Sequence, residues 1–231
     1  MSTKGVRRNM ADVAVKICGL QSVEVLKSMI NLPVDYIGFV FARSKRQVTT
    51  ARAAELVPVL KEWKTGSIPQ SVGVFVNPTW SELSEILKSA PLDIVQLHGT
   101  ESPEFCQEVK ERLGVKVFKA CSVQNDGSLH GGLTMESYEG VIDGLLLDTY
   151  DPKYGGGSGM TFAWELAAPY KAWAGSNGIL FLAAGGLHPD NVKDLLMTMG
   201  PDGVDVSSGV ETNGVKDLIK MTAFVERVKG I

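Results

Sequence analysis

Ile94-Val95-Gln96-Leu97, then Ser102-Pro103, then Val115-Lys116-Val117-Phe118-Lys119-Ala120 is the stretch that decides the fold. Both outer runs are short and dominated by apolar residues without strict alternation, the pattern of strands covered on both faces. Between them Ser102 reads as a helix N-cap and Pro103 as the first helical residue, with Phe105, Cys106 and Val109 turned inward. Strand, helix, strand is therefore the repeating unit. Working outward, short apolar runs also occur at Val13–Ile17, Tyr36–Phe41, Val72–Val76, Leu145–Leu147, Ile179–Ala183 and Val204–Val206. Amphipathic stretches separate them. Ser22 caps one that buries Val25, Leu26, Met29 and Ile30. Thr79 and Glu82 have capping-box spacing ahead of Leu83, Ile86 and Leu87. The last helix is expected to carry Val215, Leu218, Ile219 and Val225 on its apolar face. Pro58 should kink or shorten the second helix, and the Gly-rich, polar segment 122–143 argues weakly for any fifth helix. Eight units in about 220 residues predict an α/β fold, a single (β/α)8 TIM barrel, with an open doubly wound sheet as the alternative.

Composition agrees with one such domain. The 231 residues carry 23 Lys+Arg against 26 Asp+Glu, a net charge of −3 that offers no broad basic surface for nucleic acid. The three cysteines, Cys18, Cys106 and Cys121, are far apart, with no CxxC pair and no disulfide framework, which points to a reducing cytoplasm. Residues 1–12 lack the apolar segment of a signal peptide and read as a flexible tail ahead of a catalytic barrel over 13–231. No run is long and apolar enough to span a bilayer, so no membrane partner is expected. The state is expected to be monomer or homodimer.

In such a barrel the reacting groups stand at the C-terminal ends of the strands. Cys18 follows the first strand in Val15-Lys16-Ile17-Cys18-Gly19, as a base or nucleophile if its thiolate is favoured, or as a small buried hydrophobe. Asp148 follows Leu145-Leu146-Leu147, as a general acid or as a residue organising the loop. Arg46 follows the second strand in Ala42-Arg43-Ser44-Lys45-Arg46 and has the fork that grips a carboxylate. His98 either contacts substrate or supports a neighbour by hydrogen bonding. Tyr154-Gly155-Gly156-Gly157-Ser158-Gly159 would make a lid beside Asp148. Gly185-Gly186 after strand seven and Asp205-Val206-Ser207-Ser208-Gly209-Val210-Glu211 at strand eight form a phosphate cradle from backbone N–H groups. The three histidines are scattered without acidic partners at ligand spacing, so no metal site is expected.

These blocks, together with Gly38-Phe39-Val40-Phe41, Val72-Gly73-Val74-Phe75-Val76-Asn77, Val95-Gln96-Leu97-His98-Gly99 and Leu146-Leu147-Asp148-Thr149, resemble phosphoribosylanthranilate isomerases in the family's order from Val13 to Glu211. The resemblance implies a cysteine general base at Cys18, an aspartate general acid at Asp148 and an anthranilate-carboxylate contact at Arg46. It implies phosphate on Gly186, Ser207, Ser208 and Gly209, and an Amadori rearrangement of a phosphosugar–anthranilate substrate with no cofactor. Three departures stand out. A proline common after the second strand is replaced near Arg43, the glycine loop is one glycine longer, and Ala163 stands where an acidic residue is usual between Phe162 and Trp164. Two other readings compete: a Schiff-base aldolase, for which Lys119 is the strand-end candidate, and a phosphometabolite-binding protein that does no chemistry.

Overall fold

The computed structural model describes residues 12–124, 126–149 and 164–231. Residues 1–11 of the tail expected over 1–12, and the glycine loop 154–159, lie outside the described residues. Eight parallel strands close into a barrel: β1 (Ala14–Cys18), β2 (Tyr36–Val40), β3 (Gln70–Phe75), β4 (Ile94–Leu97), β5 (Lys116–Val123), β6 (Gly144–Thr149), β7 (Leu180–Ala183) and β8 (Gly203–Val206). Each pairs with its sequence neighbour, and β8 closes on β1. The open-sheet alternative is thereby excluded. Every run read as a strand is one.

The helices follow the caps. Ser22 accepts from Val25 N at the start of α1 (Val23–Ser28), and Thr79 and Glu82 complete a capping box on α3 (Trp80–Ser89). Ser102 caps α4 (Pro103–Leu113), which buries Cys106 and Val109. At Pro58 the second helix, α2 (Thr50–Leu56), tightens into a 3-10 segment, because a proline inside a helix removes one donor and clashes with the preceding turn. After β5 two short 3-10 turns, His130–Gly132 and Met135–Tyr138, stand in place of a helix. Then come α5 (Ala168–Ser176), α6 (Val192–Thr198) and α7 (Leu218–Lys229). The face expected for the last helix is corrected. Val215 precedes the Asp217 cap, Leu218 and Ile219 are exposed, and the buried stripe is Met221, Phe224, Val225 and Val228. Val225 is on the face as expected, and the residues before the cap form a hairpin, β9 (Glu211–Thr212) and β10 (Val215–Lys216), turned by Asn213-Gly214 with both residues at positive φ.

An aspartate immediately precedes each even strand and ties down the strand before it. Asp35 accepts from Val15 N at 2.7 Å, and Asp93, Asp143 and Asp202 accept from Ser71 N, Val117 N and Phe181 N at 2.8 Å each. These clamps stand at the N-terminal end of the barrel, away from the end where sites are built. Inside the barrel Val72, Ile94, Phe118, Ala120, Leu146, Leu182 and Ala184 form one apolar cluster. A larger cluster, including Ile17, Phe39, Leu145, Leu147 and Phe181, lies between the strands and the helices. Because side chains alternate along a strand, register assigns the inner face to Lys16 and Cys18 on β1, Gln96 and then His98 on β4, Ser122 on β5, Asp148 on β6 and Asp205 on β8. The mouth of the barrel is thus polar over an apolar plug.

Candidate functional site

Cys18 ends β1 on the lumen side and is buried. Its sulfur lies against Gly38 of β2, where an added Cβ would fall 2.7 Å from Sγ, so only glycine leaves room for the thiol at this register. Burial pushes the thiol above its ordinary value, while the ammonium groups of Lys16 and Lys216 pull it back and Asp205 pushes it further up. Asp148, also buried and on the inner face, is the last but one residue of β6, opposite Ser122. Strands β1 and β6 are separated by β7 and β8, so Cys18 and Asp148 face each other across the mouth.

The loops after β7 and β8 lie between those two residues. Gly185 and Gly186 both adopt positive φ, 87° and 63°, a conformation open to glycine at no steric cost. Asn191 fixes their turn by donating to Gly186 O at 2.9 Å and accepting from His188 N at 2.9 Å. Past β8, Ser208–Val210 forms a single 3-10 turn, whose leading N–H groups have no partner within it. The two loops touch at Gly209, where a Cβ would sit 1.8 Å from Leu187 O. Ser207 Oγ donates to Cys18 O at 3.1 Å and joins this cradle to β1.

Arg46, after β2, is held by Glu211 through two parallel bonds, Nε–Oε1 at 2.7 Å and Nη2–Oε2 at 2.9 Å. Lys216 Nζ lies 2.7 Å from the same Oε1 and donates to Ser207 O at 2.8 Å. Burial pushes Glu211 up, yet hydrogen bonds from Arg46 and Lys216 hold it below the ordinary carboxylate value. The hairpin therefore brings an acid and a base over the mouth that the sequence reading missed. Asn213-Gly214, the strongest short hairpin signal, was the clue.

His98, half-buried at the end of β4, is driven down to about 4, first by burial and then by the charges of Lys119 and Lys16. At neutral pH it is an uncharged imidazole. It lines a cavity of about 260 Å³ with Thr100, Ala120, Ser122 and His130. Burial lifts Cys106 to about 12 and Cys121 to about 11, leaving both as inert thiols at neutral pH. Gln96 Oε1 is buried without a hydrogen-bond partner among the described residues.

The model of the N-(5'phosphoribosyl)anthranilate (PRA) isomerase family matches residues 15–227. The chain belongs to the N-(5'-phosphoribosyl)anthranilate isomerase family. It is an enzyme of tryptophan biosynthesis, an aldose–ketose isomerase. The isomerase of Brevibacillus brevis is 45% identical over 93% of this chain and 93% of its own. The crystal structure of the Thermotoga maritima isomerase is 35% identical, with a TM-score of 0.78, over 95% of this chain and all of that one. A further isomerase structure, 32% identical with a TM-score of 0.74 over the same shares, holds reduced 1-(o-carboxyphenylamino)-1-deoxyribulose 5-phosphate.

Family membership agrees with the placement of Lys119. This residue faces outward, between β5 and the helices, where Nζ meets Glu101 at 2.8 Å and the carbonyls of Gly99 at 2.7 Å and Leu97 at 3.3 Å. It does not reach the lumen, so the strand-end lysine needed by an aldolase reading is not at the mouth. Its role is to hold the β4 loop, where Glu101 also accepts from Asn77 N and Gly99 N. Lys119→Met is expected to lower stability by about 3 kcal/mol in urea unfolding, because it strands a buried carboxylate. The folded fraction is expected to keep its isomerase turnover.

Proposed function

We propose that the enzyme converts N-(5'-phosphoribosyl)anthranilate to 1-(2-carboxyphenylamino)-1-deoxy-D-ribulose 5-phosphate, with Asp148 as general acid and Cys18 as general base. Asp148 gives its proton to the ring oxygen as the C1–O bond breaks, and the anilino nitrogen supplies the electron pair that forms an iminium. Cys18, as thiolate, then takes the proton from C2, and the C–H electrons neutralise the iminium as an enolamine. Tautomerisation of the enolamine gives the ketose. The two steps need one protonated and one deprotonated group, and separate environments across the mouth serve that need. The placement of Cys18 and Asp148 on opposing strands, with the two glycine loops between them, carries the reading.

Gly186, Ser207, Ser208 and Gly209 would hold the phosphate by backbone and hydroxyl donors. Arg46, beyond Cys18 on the next strand, would meet the anthranilate carboxylate. A guanidinium has five N–H donors and Glu211 takes two, which leaves three for substrate. The order β6, β7, β8, β1, β2 then reads acid, phosphate, phosphate, base, carboxylate along one arc of the rim.

The test is a spectroscopic turnover assay on freshly made substrate. Rapid conversion by the wild-type enzyme is expected, and no conversion by folded protein would overturn the assignment. Gly209→Ala is expected to raise KM between about tenfold and a hundredfold, the equivalent of one charge-assisted hydrogen bond, since its Cβ would part the two phosphate loops. A KM within twofold of wild type would remove Gly209 from the cradle.

A further inference from the structure

Two residues before Cys18, on the same inner face of β1, the chain buries a lysine. Lys16 is 0% exposed, its Nζ is 2.8 Å from Asp205 Oδ1 on the neighbouring strand β8, and its position two residues before Cys18 puts both side chains on the same lumen face of β1. A buried ion pair rarely stabilises a core more than apolar residues of the same size, and the surrounding interior is apolar. The pair thus calls for a purpose other than stability. Register supplies one: Lys16 and Asp205 are direct partners across β1 and β8, so the ammonium is fixed from the side and cannot swing away from the strand that carries the thiol.

We propose that Lys16, anchored by Asp205, is a positioning residue of the isomerisation, whose charge beside the Cys18 sulfur favours the thiolate over the thiol. This rests on the reading of Cys18 as the base. The charged groups that act on the thiol come from several elements, Lys16 on β1, Asp205 on β8, Lys216 on the hairpin and Arg46 after β2, the last two bound to Glu211; Asp148 on β6 carries its proton in the proposed acid role, and His98 of β4 is uncharged. Gly38 on β2 brings no charge. Lys216 is committed to Glu211 and Ser207, and Arg46 to Glu211. Lys16 is the cation that borders the thiol and stays out of reach of solvent. Its own charge survives burial because Asp205 and then Cys18 more than offset the loss of hydration.

The sign of the effect separates tuning from structural support. A cation beside a thiol favours the thiolate, and an anion disfavours it. In the full chain, the pH dependence of iodoacetamide alkylation is followed on the Cys18 peptide by mass spectrometry. Lys16→Met is expected to raise the midpoint by about one unit or more, and Asp205→Asn to lower it. The neutral double variant, Lys16→Met with Asp205→Asn, leaves no lone buried charge; its midpoint is expected above wild type and decides the matter if Lys16→Met alone does not fold. The acid limb of kcat/KM should move with each midpoint. Midpoints that shift in the same direction, or not at all, in folded variants would overturn the role of Lys16 and leave Cys18 as base untouched. Opposite shifts with an acid limb fixed at its wild-type pH would instead overturn the reading of Cys18 as base.

Discussion

Asp148→Asn is expected to lower kcat/KM by about three orders of magnitude while leaving the unfolding midpoint close to wild type. Asparagine keeps the volume and one acceptor oxygen at the end of β6, so the strand and its partner Ser122 have no reason to move. What it cannot do is release a proton to the ring oxygen. Without that proton the ring must open to an alkoxide, and the phosphate and carboxylate contacts, equal in ground and transition states, do not compensate. The loss should therefore fall mainly on kcat. Turnover in the same assay, beside a urea titration, reads both quantities. A loss of less than about tenfold in kcat, against the usual range for a general acid, would mean that another group or water delivers the proton.

The parts of this fold that were legible in the sequence are those that local chemistry decides. Each strand is a short apolar run between caps, and Ser22, Thr79 with Glu82, and Ser102 cap the helices they precede. Eight such units in about 220 residues pointed to a closed barrel, and the pairing of β8 with β1 removes the open doubly wound sheet. Signals of longer range were present but went unread. The aspartates Asp35, Asp93, Asp143 and Asp202 recur before alternate strands, and each ties its neighbour by one short bond. That repeat of two strand–helix units shows in the sequence only once the strands are paired.

Parity along a strand explains where the two strand lysines lie. Lys119 shares its face of β5 with Val117 and Cys121, which pack against the helices, whereas Phe118, Ala120 and Ser122 face the lumen. Counting back two residues from Cys18 places Lys16 inside, so the lumen lysine was readable from one inward neighbour. The last helix failed for a related reason. The apolar periodicity was carried back across the Asp217 cap to Val215, and the helix begins only after that cap. The partners of Arg46 belonged to no local pattern. Glu211 is 165 residues away in the chain, and only closure of β8 on β1, with a hairpin folded over the mouth, brings it to the guanidinium.

Cys18→Ser is expected to cut kcat by about 10²- to 10⁴-fold with the affinity for the reduced product analogue, measured by isothermal titration, held within a few-fold of wild type. A serine hydroxyl fits the space beside Gly38, so the strand pairing survives. Its intrinsic acidity is far weaker than that of a thiol, and the ammonium beneath it cannot make an alkoxide accessible at neutral pH. Proton removal from C2 then has no base, although the phosphate loops and the Arg46–Glu211 pair remain in place. The split between binding and turnover is what identifies the role. If Cys18→Ser lost affinity and turnover together, Cys18 would be a packing residue of the mouth. If both survived, the proton would have to leave C2 for another group, and the opposing placement of β1 and β6 would have to be explained by substrate fit alone.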